Sequence, residues 1–180
     1  MVQGAAKLEG VLIGSQELHQ RVVKIGRDIT RDYCGKSPFL VAVLAGAAIF
    51  HADLVRQIDL NIEVDFVAVS SYGNRTKSTG KIELTMGLEG NISGLDVILV
   101  EDIVDTGLTM SYLLQVFSRL NPASLKTCAL LSKPSCHEVA VPLDYLGFEI
   151  PNKFVVGYGL DYRQQYRNLP FIATLKTAEQ

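Results

Sequence analysis

Apolar and polar positions follow two patterns along the chain, and together they predict strands that alternate with helices. PFLVAVL (38–44) and DVILVEDIV (96–104) are nearly continuous apolar runs, which are typical of parallel strands covered on both faces. SQELHQRVVKIGRDITRDY (15–33) instead repeats apolar residues every three or four positions, which predicts an amphipathic helix with Ser15 as its N-cap. The buried face of this helix is predicted to carry Leu18, Val22, Ile25 and Ile29.

The remaining segments continue the alternation. Further strands are predicted at 10–14, 62–72, 81–88, 124–133, 154–162 and 170–175, the last as an edge strand. One helical stretch ends near Gln57, and another begins at Thr106-Gly107 and ends at Asn121-Pro122. The buried face predicted for the latter helix is Leu108, Tyr112, Leu113, Val116 and Leu120. Such alternation predicts an α/β domain with a central, mostly parallel sheet flanked by helices.

Composition narrows the class of protein further. The chain has 180 residues and a net charge of −2 with acids and bases mixed, so neither a nucleic-acid partner nor a membrane surface is indicated. No apolar stretch approaches the length of about 18 residues that a membrane span requires. Three cysteines without CxxC spacing predict free thiols, no zinc site and a cytoplasmic protein. They are Cys34, Cys128 and Cys136.

Three carboxylates mark the end of the 96–104 run: Glu101, Asp102 and, just beyond it, Asp105. In an open parallel sheet, ligands bind beyond the carboxyl ends of the strands, where helix N-termini present N–H groups. Residues 106–109 add a glycine and two hydroxyl groups at a helix start, which suits one phosphate group. Because carboxylates repel phosphate, they should serve the hydroxyls of an attached sugar or a magnesium ion. The alternative, a capped helix beside surface acids, explains fewer of these residues.

VILVEDIVDTGLT (97–109) strongly resembles the 5-phosphoribosyl-1-pyrophosphate (PRPP) signature of type I phosphoribosyltransferases. The order of the surrounding segments covers nearly the whole chain and narrows the resemblance to the hypoxanthine-guanine phosphoribosyltransferases. These segments are VAVLAGAAIFHADLVRQI (41–58), DFVAVSSYGNRTKSTGKIEL (65–84), LLSKPS (130–135) and PNKFVVGYGLDYRQQYRNLPFI (151–172). The resemblance implies the type I phosphoribosyltransferase fold as one domain, 1–180. Its core is expected at about 35–135, with a small hood subdomain from the N-terminal segment and about 136–180.

The resemblance also implies a reaction: transfer of the 5-phosphoribosyl group of PRPP to N9 of hypoxanthine or guanine, giving IMP or GMP and pyrophosphate, with Mg²⁺ as cofactor. Glu101 and Asp102 match the family residues that bind the ribose hydroxyls and a metal ion. Asp105 matches the catalytic residue that faces N7 of the purine and contacts the nucleotide. The phosphate cradle implied by the match is Thr106, Gly107, Leu108 and Thr109.

The purine pocket implied by the resemblance comes from later segments. Lys133 would donate to O6 of the base, Phe154 would stack on the ring, and Val155 would supply backbone contacts. Asp161 would contact the purine edge and help to hold Mg²⁺ on pyrophosphate. Because an ammonium group donates hydrogen bonds and accepts none, Lys133 favours a 6-oxopurine over adenine.

The pyrophosphate side is implied by residues spread along the chain. Arg167 would contact pyrophosphate, while Ser71 and Tyr72 open a polar segment expected to close over the site. Many relatives place a lysine before the glycine of the loop that follows the 38–44 strand, whereas this chain has Ala45 before Gly46. Backbone N–H groups around these two residues would then contact pyrophosphate without that side chain.

Two other functions stay open at this point: a preference for xanthine, or a PRPP-binding regulatory protein without catalysis. Asp105, Lys133, Asp161 and Arg167 favour the enzyme, because a sensor needs neither a base pocket nor a pyrophosphate site. A dinucleotide-binding dehydrogenase is disfavoured, since no GxGxxG follows an early strand. The resemblance further implies a homodimer or homotetramer, with the helix near 47–57 as the contact face.

Overall fold

The computed structural model describes residues 7–72, 81–88 and 90–176, except for the side chains of residues 71, 72, 81 and 82. Strands and helices alternate as predicted, which confirms the α/β class. The strands are β1 (Lys7–Ile13), β2 (Phe39–Leu44), β3 (Glu63–Tyr72), β4 (Lys81–Met86), β5 (Asp96–Val104), β6 (Ser124–Ser132), β7 (Tyr145–Glu149), β8 (Val155–Val156) and β9 (Ile172–Lys176). The helices are α1 (Ser15–Asp32), α2 (Ala48–Val55) and α3 (Leu108–Ser118), with a 3-10 turn at Pro134–Cys136.

A six-stranded sheet in the order β4-β3-β2-β5-β6-β7 forms the body of the molecule. All of its neighbouring strands are parallel except β3 and β4. The two continuous apolar runs are β2 and β5 at its centre, where both faces of a strand are covered. The sheet extends to β7, beyond the core boundary near residue 135 expected from the sequence, because β7 pairs with β6.

Alternate residues of the central strands face different helices, because successive side chains in a strand point to opposite faces. In β5, Ile98 and Val100 pack in the cluster that includes α1 and α2, whereas Val97 and Leu99 pack in the cluster that includes α3. The predicted buried face of α1 is confirmed, with all four residues at most 3% exposed. Ser15 is not its N-cap: Gly14 occupies that position without any side-chain hydrogen bond. Within the described ranges, every helix is too short or too polar to cross a membrane.

The buried face predicted for α3 was only partly correct. Its fully buried residues are Met110, Leu113 and Phe117, a three-then-four spacing that turns the helix slightly from the predicted stripe. Leu120 is 43% exposed because α3 ends at Ser118, so the residue lies beyond the helical stripe.

A second sheet of three antiparallel strands lies in the order β1-β9-β8. The prediction of 170–175 as an edge strand was wrong, since β9 pairs with a strand on each side. The strand predicted over 154–162 is confined to the two residues of β8, because the chain turns at Gly157, whose φ is 103°. The position of β9 between two strands and the shortness of β8 both depend on pairing between distant parts of the chain, which a local sequence pattern does not show.

His51 is a buried histidine in α2, 2% exposed, whose ring packs edge-on against Phe66 with the ring centroids 5.4 Å apart. Neither ring nitrogen has a hydrogen-bond partner among the described residues. Burial lowers the pKa of His51 from 6.5 to about 4, because the apolar surroundings disfavour the imidazolium. The folded protein therefore keeps this ring neutral at pH values where the unfolded chain binds a proton.

We expect acid to destabilise the fold through His51. Since the pKa is lower in the folded than in the unfolded state, stability is lost as pH falls from about 6.5 toward 4. Between pH 7.5 and 5, His51→Phe should remove about 2 kcal/mol of the decrease in unfolding free energy. Urea denaturation at both pH values measures this difference. His19→Phe, at an exposed position of α1, should keep the wild-type pH dependence; equal slopes for the two variants would contradict the prediction.

Candidate active site

Two adjacent carboxyl groups lie at the carboxyl end of β5. Glu101 and Asp102 are each 8% exposed, and the Ile103 amide donates to Oδ1 of Asp102 over 2.9 Å. Burial, with repulsion from Asp102, holds the pKa of Glu101 well above its usual range; burial also raises the pKa of Asp102. Among the described residues, no donor reaches Oε2 of Glu101. This buried oxygen is therefore suited to a hydroxyl group or cation supplied by a ligand.

The chain bends sharply between β5 and α3. Gly107 has a φ of 85° and precedes the first residue of α3, where helix geometry leaves amide N–H groups without intrahelical partners. The hydroxyl of Thr106 accepts weakly from the Leu108 amide over 3.4 Å. The outer side of the bend is held by the amides of Glu138 and Val139, which donate to the carbonyl of Thr106 over 2.9 and 3.2 Å. A Cβ atom on Gly107 would overlap the Val139 carbonyl oxygen, so only glycine fits here.

This bend and the end of β5 line one cleft of about 300 Å³, part of which is open to solvent. Its lining residues are Glu101, Ile103, Val104, Asp105, Thr106, Gly107, Thr109 and Met110. The structure thus places at one opening a buried acid, a further carboxylate and the amide-lined start of a helix. An anion at the helix start and a hydroxyl-bearing group at the acids can be bound side by side.

Lys133 contacts Asp105 because β5 and β6 are parallel neighbours in register, with Val104 opposite Ser132. The Lys133 ammonium donates to Oδ2 of Asp105 over 2.9 Å, and the Lys133 amide donates to the Val104 carbonyl over 2.9 Å. The lysine side chain is 8% exposed and the aspartate side chain 47%. The ion pair therefore places a buried donor directly behind Asp105, whose carboxylate lines the cleft.

The loop after β2 lies directly against the acids. A Cβ atom on Gly46 would overlap the carboxyl group of Asp102, so the missing side chain lets the backbone approach. The neighbouring Ala45 is exposed, and the peptide bond between Leu44 and Ala45 is cis. On the other side of the loop, a Cβ atom on Gly159 would overlap the Gly46 carbonyl oxygen. Loop 45–47 is therefore held between the end of β5 and a later segment.

Residues 157–167 form this later segment, the strap. Within it, the Arg167 guanidinium pairs with Asp161 over 2.7 Å and donates to the Gly159 carbonyl over 2.6 Å. The Gln164 amide donates to Oδ2 of Asp161 over 2.7 Å. Arg167 also lowers the pKa of Asp102, against the stronger effect of burial, so its charge acts at the acids of β5. Four non-glycine residues of the strap have positive φ, namely Tyr158, Arg163, Gln164 and Tyr166.

Two of the residues predicted for the base, Phe154 and Val155, lie just before the strap in the chain. Phe154 is 38% exposed just before β8, and its ring meets the Tyr162 ring edge-on with centroids 5.6 Å apart. Val155 is buried in β8 opposite Thr174. Ser71 and Tyr72 end β3, but their side chains and the 73–80 segment lie outside the described residues. Their predicted closure over the site stays a prediction.

The acids leave room for a metal ion that is shared with a ligand. Over the described residues, no group of three or more histidine, cysteine, aspartate or glutamate side chains converges as a metal site. Magnesium in proteins is usually held by one or two carboxylates together with phosphate oxygens and water. The unpartnered Oε2 of Glu101 and the adjacent Asp102 fit such partial coordination. Asp161, which already pairs with Arg167, is placed to make a second contact with such an ion from the strap side.

Sequence reasoning missed two supports of the site. One is the segment after Lys133, where the Nε2 atom of His137 lies 3.2 Å from the Ser132 hydroxyl and the next two amides hold Thr106. The other is the contact of Gly159 with Gly46. The sequence signal for the second is the pair of glycines that flank Tyr158, since glycine is favoured where the backbone turns or approaches another segment closely, and both have positive φ in the structure. The first has no sequence signal.

Comparisons with known proteins identify proteins that are similar to this chain. Residues 14–163 match the family model described as phosphoribosyl transferase domain. The hypoxanthine-guanine phosphoribosyltransferase of Bacillus subtilis is 44% identical over 171 residues, which cover 95% of each chain. The crystal structure of a hypoxanthine-guanine phosphoribosyltransferase from Bacillus anthracis superposes with a TM-score of 0.89 at 40% identity, covering 96% of this chain and 100% of that one.

A longer relative contains the same region. The bifunctional protein TilS/HprT of Listeria innocua is 46% identical over 169 residues, which cover 94% of this chain. The chain spans 26% of the length of that relative.

Proposed function

We propose that this chain, which belongs to the hypoxanthine-guanine phosphoribosyltransferase family, transfers the 5-phosphoribosyl group of PRPP to N9 of hypoxanthine or guanine. The products are IMP or GMP and pyrophosphate, as expected of a purine salvage enzyme. The observation that carries the proposal is the cleft at the end of β5, where buried acids, the Asp105–Lys133 pair and the open start of α3 adjoin. Each part suits a different portion of the two substrates.

The sugar phosphate is bound at the bend. Amide N–H groups at the start of α3, with the hydroxyls of Thr106 and Thr109, bind the 5-phosphate of PRPP. Glu101 and Asp102 accept hydrogen bonds from the ribose hydroxyls. As the bond from C1′ to pyrophosphate breaks, positive charge develops on the ribose, and the nearby carboxylates stabilise it.

The base is bound by the ion pair. Lys133 donates to O6 of the purine, and Asp105 accepts the proton at N7 as N9 attacks C1′. Their mutual hydrogen bond keeps both groups in place before the base arrives, so little rotamer freedom remains to be lost on binding. Phe154 packs on the ring, while Val155 and Asp161 contact the purine edge.

The pyrophosphate is bound on the strap side. Arg167 donates to its oxygens, and the backbone of Ala45 and Gly46 lines the approach from loop 45–47. Glu101, Asp102 and, on the strap side, Asp161 would hold a magnesium ion, which would neutralise charge on the leaving group. Because Ala45 carries no cationic side chain, this chain relies on Arg167 and backbone amides for pyrophosphate. Ser71 and Tyr72 belong to the segment that closes over the site.

The test is a spectrophotometric assay of hypoxanthine, guanine, xanthine and adenine with PRPP and Mg²⁺. We expect kcat/KM for adenine to be lower by roughly 10- to 100-fold or more, because its amino group would face the Lys133 ammonium and leave a buried donor unpaired. Lys133→Gln, whose amide also accepts hydrogen bonds, should reduce the ratio of kcat/KM for hypoxanthine to kcat/KM for adenine. Equal turnover of adenine and hypoxanthine would contradict the assignment of Lys133.

Two results would favour the two alternative functions, the first from this assay and the second from this assay together with calorimetric titration of PRPP. A higher kcat/KM for xanthine would make this a xanthine-preferring enzyme with the same residues in the same roles. PRPP binding without turnover of any base would indicate a regulatory homologue.

We also propose the setting in which this enzyme works. The three cysteines are free thiols, as predicted, and agree with a reducing cytoplasm. A homodimer or homotetramer that uses α2 and its flanks is expected, and sedimentation of the purified chain would decide between them. The division into a core and a hood likewise stays a proposal, with β7 on the core side of the boundary.

A further inference from the structure

A hydrogen bond between side chains joins the strap to α2. The hydroxyl of Tyr158 donates to Oδ2 of Asp53 over 2.6 Å, and the tyrosine is 8% exposed. Burial, followed by the contact with Asp53, raises the pKa of this hydroxyl, so it stays protonated and acts as the donor. Asp53 also pairs with Arg56 one helical turn further on, which orients its carboxylate.

The two elements joined by this bond each carry part of the pyrophosphate side. Helix α2 directly follows loop 45–47, whose Gly46 lies against Asp102. The strap carries Arg167, and two hydrogen bonds connect Arg167 with Gly159. The Arg167 guanidinium donates to the Gly159 carbonyl over 2.6 Å, and the Gly159 amide donates to the Arg167 carbonyl over 3.0 Å. The strap therefore contacts loop 45–47 and α2 through two successive residues. The backbone of Gly159 packs on the loop, and the side chain of Tyr158 bonds to the helix.

Tyr158 has an unusual backbone for this task. Its φ of 50° is in the left-handed region, which costs a non-glycine residue about 1 kcal/mol. The conformation is held by the Tyr158 amide, which donates to the Leu169 carbonyl over 2.8 Å, and by the bond of the hydroxyl to Asp53. A strained residue that is fixed at both ends is typical of a place where geometry matters for function.

We propose that Tyr158 and Asp53 are positioning residues that fix the strap against α2 and thereby set the affinity for the pyrophosphate half of PRPP. The inference rests on the proposed function. Neither side chain lines the cleft at the end of β5; they act through Arg167 and Asp161 on one side and loop 45–47 on the other. The base also contacts the strap through Asp161, but its contacts with Lys133 and Asp105 are built on β5 and β6, away from this bond.

Tyr158→Phe removes the hydroxyl and leaves the buried ring. We expect the KM for PRPP and the dissociation constant for magnesium pyrophosphate to rise roughly 5- to 20-fold, and the KM for hypoxanthine to stay within about 2-fold. Asp53→Ala should behave in the same way. Asp53→Asn keeps an acceptor oxygen and should retain most of the wild-type affinity for PRPP. The double variant Tyr158→Phe/Asp53→Ala should bind PRPP no more weakly than either single variant.

Tyr145 offers a matched control. It is 6% exposed, and its hydroxyl donates to Oδ2 of Asp32 over 2.9 Å, joining β7 to α1. This bond lies at the amino end of β7, opposite to the end of the sheet that holds the cleft. Tyr145→Phe should lower the melting temperature about as much as Tyr158→Phe without changing the KM for PRPP.

Calorimetric titration of PRPP and pyrophosphate with Mg²⁺, alongside the kinetics, keeps the two proposals separate. Equal effects of Tyr158→Phe and Tyr145→Phe on PRPP affinity, or an equal loss of hypoxanthine affinity in Tyr158→Phe, would overturn the positioning role. If the wild type binds PRPP but converts no base, the proposed function fails, and weaker PRPP binding by Tyr158→Phe still supports the inference.

Discussion

Gly107→Ala is expected to raise the KM for PRPP roughly 100-fold, the largest single effect on binding that the fold predicts. The left-handed φ of 85° costs an alanine about 1–2 kcal/mol. In addition, the new Cβ would overlap the Val139 carbonyl oxygen, which belongs to backbone and cannot rotate away. The bend or the 138–139 segment has to move, and either movement turns the amides at the start of α3 away from the 5-phosphate. Initial rates at varied PRPP and saturating hypoxanthine measure the change.

Gly94 supplies the control for this variant. Its φ is 79°, yet no atom lies within 4 Å of a Cβ built there, so Gly94→Ala carries a similar backbone cost without an overlap. It lies in the turn before β5, at the end of the strand opposite to the cleft. Gly94→Ala should lose about 1 kcal/mol of stability and keep the wild-type KM. If Gly107→Ala changes stability alone, the bend does not bind the phosphate group of PRPP.

The contrast between Gly107 and Gly94 shows what a sequence can and cannot specify. Both glycines follow from turn chemistry, and the glycine at 107 was predicted to shape a phosphate-binding bend. The Val139 oxygen that makes Gly107 irreplaceable comes from 32 residues further along the chain. Close packing of two distant backbone segments leaves no periodic pattern in either of them, so only the three-dimensional structure reveals it.

The central strands were predictable for the opposite reason. β5 has the predicted bounds because burial on both faces requires an uninterrupted apolar run, and that requirement is local. Once β5 and β6 are parallel neighbours, the contact of Lys133 with Asp105 follows from register, although their order in the sheet could not be read from either strand. β7 was not predicted, because its five residues lie in a segment that is interrupted by Pro134, Pro142 and Pro151.

Asp105→Ala is expected to lower kcat by about 10²- to 10³-fold while the dissociation constant for PRPP changes less than about 3-fold. Asp105 lies beside the phosphate bend, yet its carboxylate is directed to Lys133 and not to the loop amides, so PRPP should still bind. The side chain is 47% exposed, and its loss should cost little stability. Single-turnover rates with hypoxanthine, together with calorimetric PRPP binding, measure the two quantities separately.

Asp105→Asn distinguishes the two roles that Asp105 has in the proposed mechanism. The asparagine oxygen still accepts from Lys133 and keeps that ammonium in place, but an amide does not take up the N7 proton. If proton transfer dominates, the asparagine variant should be nearly as slow as the alanine variant; if orientation of Lys133 dominates, it should recover most of the rate. In the second case Lys133→Met should be as slow as Asp105→Ala, and the double variant no slower. Loss of PRPP binding with an unchanged rate per bound substrate would instead show that Asp105 belongs to the phosphate site.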